Sequence, residues 1–232
     1  MVELASISEV CVKAFALKDK GRLVAQCRAL LTPYTAVYRT ECAKIQTKAQ
    51  LEAALGQYWH LLHYFPTFLS GLVHSSSSLE VQTYVSKILF QELGEGDCAR
   101  AHERFFLDAL EECDLDVTAI TTAPATPATQ HLLDVFTAGA GDRLKGIGVL
   151  YATEATDLTI VTQLAVAIKR VTGREGLAWE QVHREQEGDH VVCSDSALES
   201  FFSQVESEKI QESTGQTAAL WARFFESLGE AK

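Results

Sequence analysis

The segment HREQEGDH, residues 183–190, places a histidine at each end of a run rich in acids. On a helix turning by about 100° per residue, His183 and Glu187 differ by about 40° and His183 and His190 by about 20°. These three side chains then share one face, while Asp189 points elsewhere. Two imidazoles and a carboxylate on one face can converge on one or two cations. The competing reading is a solvated polar face on a surface helix. One helix alone leaves cations under-coordinated, so further ligands must come from facing helices.

Two other segments offer inward-pointing donors. In ELGEGDCARAH, residues 92–102, Glu92 closes a helix whose apolar face includes Val85, Ile88 and Leu89. His102 precedes Phe105, Phe106 and Leu110 at a spacing that turns its ring toward the core. A buried imidazole needs a partner. The alternative is a core histidine satisfied by backbone, with Glu92 an ordinary surface acid. Glu95, seven residues before His102 and between two glycines, is an additional candidate ligand. In VLYATEATDL, Glu154 shares a stripe with Ile147 and Leu150. A lone carboxylate there is costly unless paired or ligated; the alternative is a helix-end acid at a solvent edge. The aromatic run YWHLLHYF, residues 58–65, is either core or pocket wall. As a pocket wall it would present Tyr58, Trp59 and His63 to a flat or apolar substrate, with Tyr151 one turn before Glu154. Arg100, Arg104 and Lys145 are the cations available to grip a substrate carboxylate.

Helices must position these donors, and the chain is rich in them. Apolar residues recur at three- and four-residue spacing over residues 3–18 and 21–45, and again over 48–74, where Pro66 predicts a kink. The serines at 75–78 predict an N-cap for LEVQTYVSKILFQEL. Asp97 predicts the cap of the helix that follows GEGD, and Thr126-Pro127 predicts a helix start after a loop. A helix from about residue 128 loosens near AGAGD and continues through YATEAT. Further helices are expected at 157–171, 177–206 and 214–228. No stretch alternates with period two for long enough to form a strand. The expectation is all-α, one domain over residues 1–232 with seven or eight helices.

Of the 232 residues, 47% are hydrophobic, enough for a large core, and the formal charge is −11. That charge argues against nucleic acid and anionic membrane as partners. No uncharged apolar run reaches spanning length, and the N-terminus lacks the pattern of a signal peptide, so a cytoplasmic location is expected. The six cysteines are scattered without metal-like spacing and are expected to be free thiols.

Taken in order, Glu92 and His102 around LGEGDCARA, Glu154 in YATEAT, and His183, Glu187 and His190 in HREQEGDH resemble the haem-oxygenase-like di-iron oxidase and oxygenase family, the iron-containing redox enzymes. The resemblance covers residues 85–195. One departure is Glu187, where the family more often has Asp. The resemblance implies a haem-oxygenase-like fold and two Fe(II) ions held by the six named residues, with O2 as co-substrate. Glu92, His102 and Glu154 would serve mainly one iron, and the other three residues the second. It implies oxidation of a small-molecule substrate, foremost an amino acid or a derivative, by N-oxygenation, C–C cleavage, or nitrile or alkene formation. Oxidative decarboxylation of a fatty acid is the alternative within the family. A metal-free hydrolase or binding protein of the thiamin-related branch is the alternative outside it. A homodimer is compatible with all of these. The charged segment 175–195 is expected to be mobile without metal.

Overall fold

The computed structural model describes residues 21–200 and 203–228, and all of its regular structure is helical. The expected helix over 3–18 lies outside the described residues. In chain order the helices are α1 (Arg22–Leu31), α2 (Thr35–Cys42), α3 (Lys48–Ser75), α4 (Leu79–Glu92), α5 (His102–Glu112), α6 (Val117–Thr121), α7 (Pro127–Ala140), α8 (Arg143–Thr172), α9 (Ala178–Leu198) and α10 (Gln204–Leu228). A short 3₁₀ turn, Cys98–Arg100, precedes α5.

Most boundaries have a chemical cause. Thr47 and Gln50 form a reciprocal capping box at the start of α3. The Ser78, Asp116 and Thr126 side chains accept hydrogen bonds from the first turns of α4, α6 and α7. Asp142 caps α8 by accepting from the backbone of Leu144 and Lys145, and Gly173, with φ of 76°, closes it.

The elements outnumber the expected seven or eight, and five boundaries differ from expectation. The segment 21–45 divides, with Thr32-Pro33-Tyr34 between α1 and α2. The chain breaks fully at Gly141, where Asp142 offers a better cap than a continued helix. No break follows at Asp157: α8 runs unbroken for 30 residues. The expected helix 177–206 stops at Leu198, and α10 begins at Gln204 rather than Thr214. Helix α3 passes through Pro66 without ending.

Helix α8 is the axis of the molecule, packed by α7, α9 and α10 and touched by α1, α2 and α3. Between Gly146 and Glu154 every residue of it is buried. Gly148 permits its approach to α10, since a Cβ there would lie 2.6 Å from the Ser213 Cβ and 2.7 Å from the Ile210 carbonyl oxygen. Helix α9 is continuous and is tied to its neighbours by Lys87–Asp189 (3.1 Å) and Arg28–Asp195 (2.9 Å) at the surface. Five cysteines of the described residues are free thiols, four of them buried. No helix among the described residues is long and apolar enough to cross a membrane.

Candidate metal centre

Four helices bring their acids and histidines to one place. Glu92 is the last residue of α4 and His102 the first of α5. The loop between them turns back sharply at Gly94, where φ is 80° and a Cβ would lie 2.2 Å from the Asp97 carbonyl oxygen. That reversal leaves His102 Nδ1 3.0 Å from Glu92 Oε2. Glu154 projects from the buried middle of α8, and His183, Glu187 and His190 from the inward face of α9. His190 Nδ1 lies 3.1 Å from Glu154 Oε2, 3.4 Å from Glu187 Oε1 and 3.7 Å from Glu92 Oε1. The His102 ring sits 4.6 Å from the His183 ring and 6.0 Å from that of His190, centre to centre. All six side chains are buried.

A seventh donor joins them that the sequence reading missed. Asp157 Oδ2 lies 3.7 Å from His183 Nε2. Asp157 was expected to open a new helix. Because α8 is continuous, it instead sits three residues after Glu154 on nearly the same face. The spacing Glu-x2-Asp was the available signal.

The other candidates fall elsewhere. Glu95 is exposed, in a left-handed backbone conformation, with Arg100 3.5 Å away, and is not brought to the cluster. His63 is exposed and pairs with Glu103 at 2.8 Å. Trp59 stacks on His63 and Phe106. The Tyr151 hydroxyl faces α1, donating to the Val24 carbonyl at 3.4 Å. Of the four expected pocket residues, only Tyr58 lines the cavity beside the cluster.

That cavity is about 30 Å³. One side is formed by Glu92, Glu154, Asp157, His183 and Glu187. The other is apolar, from Leu61, Leu62 and Phe65 of α3, Phe136 of α7 and Trp221 of α10. The Trp221 indole is held in place by donating to Thr153 Oγ1 at 3.3 Å.

The histidines are oriented from behind. The His183 Nδ1–H donates to the Trp179 carbonyl oxygen at 2.7 Å, which leaves Nε2 facing Asp157. The His102 Nε2–H donates to Gln186 Oε1 at 3.0 Å, which leaves Nδ1 facing Glu92. Fixing one ring nitrogen so that the other is free as a ligand is how metal-binding histidines are held.

The cluster fits a metal because its polar atoms lack other partners. Both ring nitrogens of His190, both oxygens of Glu154, Glu187 Oε2, Asp157 Oδ2 and His102 Nδ1 are buried without an aligned hydrogen bond. Each such group costs about 1–3 kcal/mol if nothing satisfies it. Two sets have donor atoms all within 4.8 Å of one another: Glu154, Glu187 and His190, and Asp157, His183 and Glu187. Glu187 belongs to both, which suits a carboxylate shared by two ions. His190 therefore groups with Glu154, not apart from it as the resemblance implied. Mixed imidazole and carboxylate donors suit iron(II).

The electrostatics show the same strain. Burial, opposed by His190 and reinforced by Glu187 and Glu92, pushes the Glu154 carboxyl up to about 7. Burial and the neighbouring Glu187, Glu154 and Glu92 hold Asp157 well above the usual carboxylate range. Burial pushes the His183 ring down to about 4, with His102 adding to the effect. For His190 burial is overridden by Glu154, Glu187 and Glu92, which push it up to about 12. Burial also opposes the charge of Glu92, but His102, His190 and His183 draw it down to about 2. Four acids crowd one buried site, and without a cation only protons can relieve them.

A family model described as iron-containing redox enzyme matches residues 52–227. No curated protein matches the chain. Among solved structures, the fold is similar to a CADD-like protein of unknown function from Nostoc punctiforme (TM-score 0.77, 16% identity, 92% of this chain and 98% of that one). It is also similar to a domain of unknown function with a heme oxygenase-like fold from Shewanella denitrificans (TM-score 0.69, 12% identity, 98% and 94%). A TenA homolog from Pseudomonas syringae pv. tomato is a third (TM-score 0.70, 9% identity, 91% and 92%). At these identities the likeness is one of fold, and the fold is heme oxygenase-like.

Proposed function

Since this chain belongs to the iron-containing redox enzyme family, we propose that it is a non-haem di-iron enzyme that uses O2 to oxidise a small metabolite. The observation that carries this reading is the buried constellation of three histidines and four acids, five of which carry donor atoms that lack a hydrogen-bond partner. Glu92, His102, Glu154, His183, Glu187 and His190 would hold the irons. When bound, iron(II) supplies the electrons that activate O2 for attack on the substrate.

The chain's own residues supply position and enclosure. Trp179 and Gln186 fix the rings of His183 and His102. Tyr58, Leu61, Leu62, Phe65, Phe136 and Trp221 wall the space facing the acids and limit the water it can hold. These walls suit an uncharged aliphatic or aromatic group as the part of the substrate that reacts. Arg100, Arg104 and Lys145 do not line the cavity; they lie beside Glu95, Asp108 and Asp142. An amino-acid derivative would therefore present its apolar side chain to the cluster and keep its charged groups outside. The same walls favour a fatty acid as the second reading. The thiamin-related alternative needs a nucleophilic thiol or a basic pocket, and no described cysteine, lysine or arginine lines the cavity.

The test is anaerobic titration with iron(II), then O2-uptake screening against amino acids, their acyl and aryl derivatives, and fatty acids. Uptake of about two equivalents, with substrate-triggered O2 consumption, is expected. A protein that binds no iron, or that binds it and consumes O2 with no member of these classes, refutes the proposal.

A further inference from the structure

The geometry points to Asp157 as a metal ligand in its own right, completing a cavity-side subsite with His183 and Glu187 that is distinct from an inner subsite built on Glu154, Glu187 and His190. This inference rests on the metal centre proposed above and divides it in two.

Three observations carry it. The first is the set of donors without partners. Asp157 Oδ2 and Glu187 Oε2 are buried and lack a hydrogen bond. The nearest base to Asp157, His183 Nε2, is 3.7 Å away, too far to satisfy it but well placed to bind the same ion. The His183 ring cannot turn toward Asp157 by another route, because its Nδ1–H is engaged by Trp179.

The second is position. Asp157, His183 and Glu187 all line the cavity; of the other set Glu154 and Glu187 line it as well, and only His190 stands off it. The Asp157 side chain is 15% exposed, against 0% for His190 and 2% for Glu154. The ion held with Asp157 would thus lie nearer solvent, and the one held with His190 deeper.

The third is charge. Glu92, Glu154, Asp157 and Glu187, with neutral histidines, offset two divalent cations in full. Without Asp157 a buried pair of cations would keep a net positive charge, which a low-dielectric site penalises. The Asp157 carboxylate supplies the fourth negative charge that balances the second ion. The inner subsite, richer in fully buried donors, fills first. The cavity-side ion enters last and exchanges more readily.

Cobalt(II) titration of the metal-free protein, followed by its visible absorption and by equilibrium dialysis, tests this without turnover. The wild type is expected to take two equivalents in two affinity classes. Asp157→Asn is expected to take one, with the tighter class changed by less than a few-fold. If Asp157→Asn still takes two with unchanged affinities, the assignment of Asp157 falls while the metal centre stands. If the wild type takes one, the second subsite falls; if it takes none, the metal centre falls with it. Asp157→Cys reads the contact directly should the amide variant not fold. Its cobalt(II) form is expected to gain a near-ultraviolet sulfur-to-cobalt absorption that the wild type lacks. A folded Asp157→Cys protein that binds two cobalt ions without that band overturns the proposal.

Discussion

Loading the cluster with divalent cations should expel protons, and the structure sets how many. Metals bind deprotonated ligands, so every proton held by the seven donors must leave. At pH 7 two donors have none to give: Glu92, drawn down to about 2, and His183, pushed down to about 4. His190, pushed up to about 12, holds one proton in full. Asp157 is held well above the usual carboxylate range by burial and the neighbouring acids. Glu154, at about 7, is half protonated, and His102 is drawn upward by Glu92 against the opposing effect of burial. His190 and Glu154 alone should therefore release about one and a half protons per chain at pH 7 when both ions bind, and the upward shifts of Asp157 and His102 can only add to that count. Protonation competes with binding, so affinity falls as pH falls. Lowering the pH by one unit should weaken overall binding by at least about 2 kcal/mol. The assay is calorimetric titration with metal in buffers of differing ionisation enthalpy, where the slope of the apparent enthalpy counts protons. A count below about one, with two ions bound, would show that the ions sit elsewhere and refute the reasoning.

Three more outcomes follow from the geometry. His190→Ala should abolish iron retention and O2 uptake while far-ultraviolet circular dichroism stays nearly unchanged, because the helix carrying it is otherwise intact. Gln186→Leu should weaken metal binding roughly 10–100-fold in a competition titration, since it removes the acceptor that orients His102. Gly148→Ala should lower stability by about 1–3 kcal/mol in a denaturant melt, because its Cβ would press on Ser213 and the Ile210 carbonyl; a melt unchanged from wild type would show that α8 and α10 can part at no cost.

Much of this architecture could be read from the chain because helical periodicity and capping residues are local signals. Ser78 and Thr126 mark real helix starts. The ligand set was legible for a related reason: acids and histidines on apolar stripes stand out against their neighbours, as Glu154 does beside Ile147 and Leu150. Asp157 did not stand out, because an Asp followed by Leu and Thr also looks like a helix cap. Only the continuity of α8 past its fully buried stretch turns that residue inward. The cavity was less legible still. Its lining comes from α3, α4, α7, α8, α9 and α10, and pairing Phe136 with Trp221 and Leu61 is a tertiary fact with no local signature. The aromatic run at 58–65 shows the limit: Tyr58 faces the cavity, while Trp59 packs in the core and His63 reaches solvent.

The hollow beside the cluster has a kinetic consequence. At about 30 Å³ it has room for roughly two water molecules. A metabolite with even a short hydrocarbon tail cannot enter until Leu61, Leu62, Phe65 or Phe136 swings aside. Admission of such a guest would then require movement of these α3 and α7 side chains. A bulky guest would hold the seam between the two helices ajar.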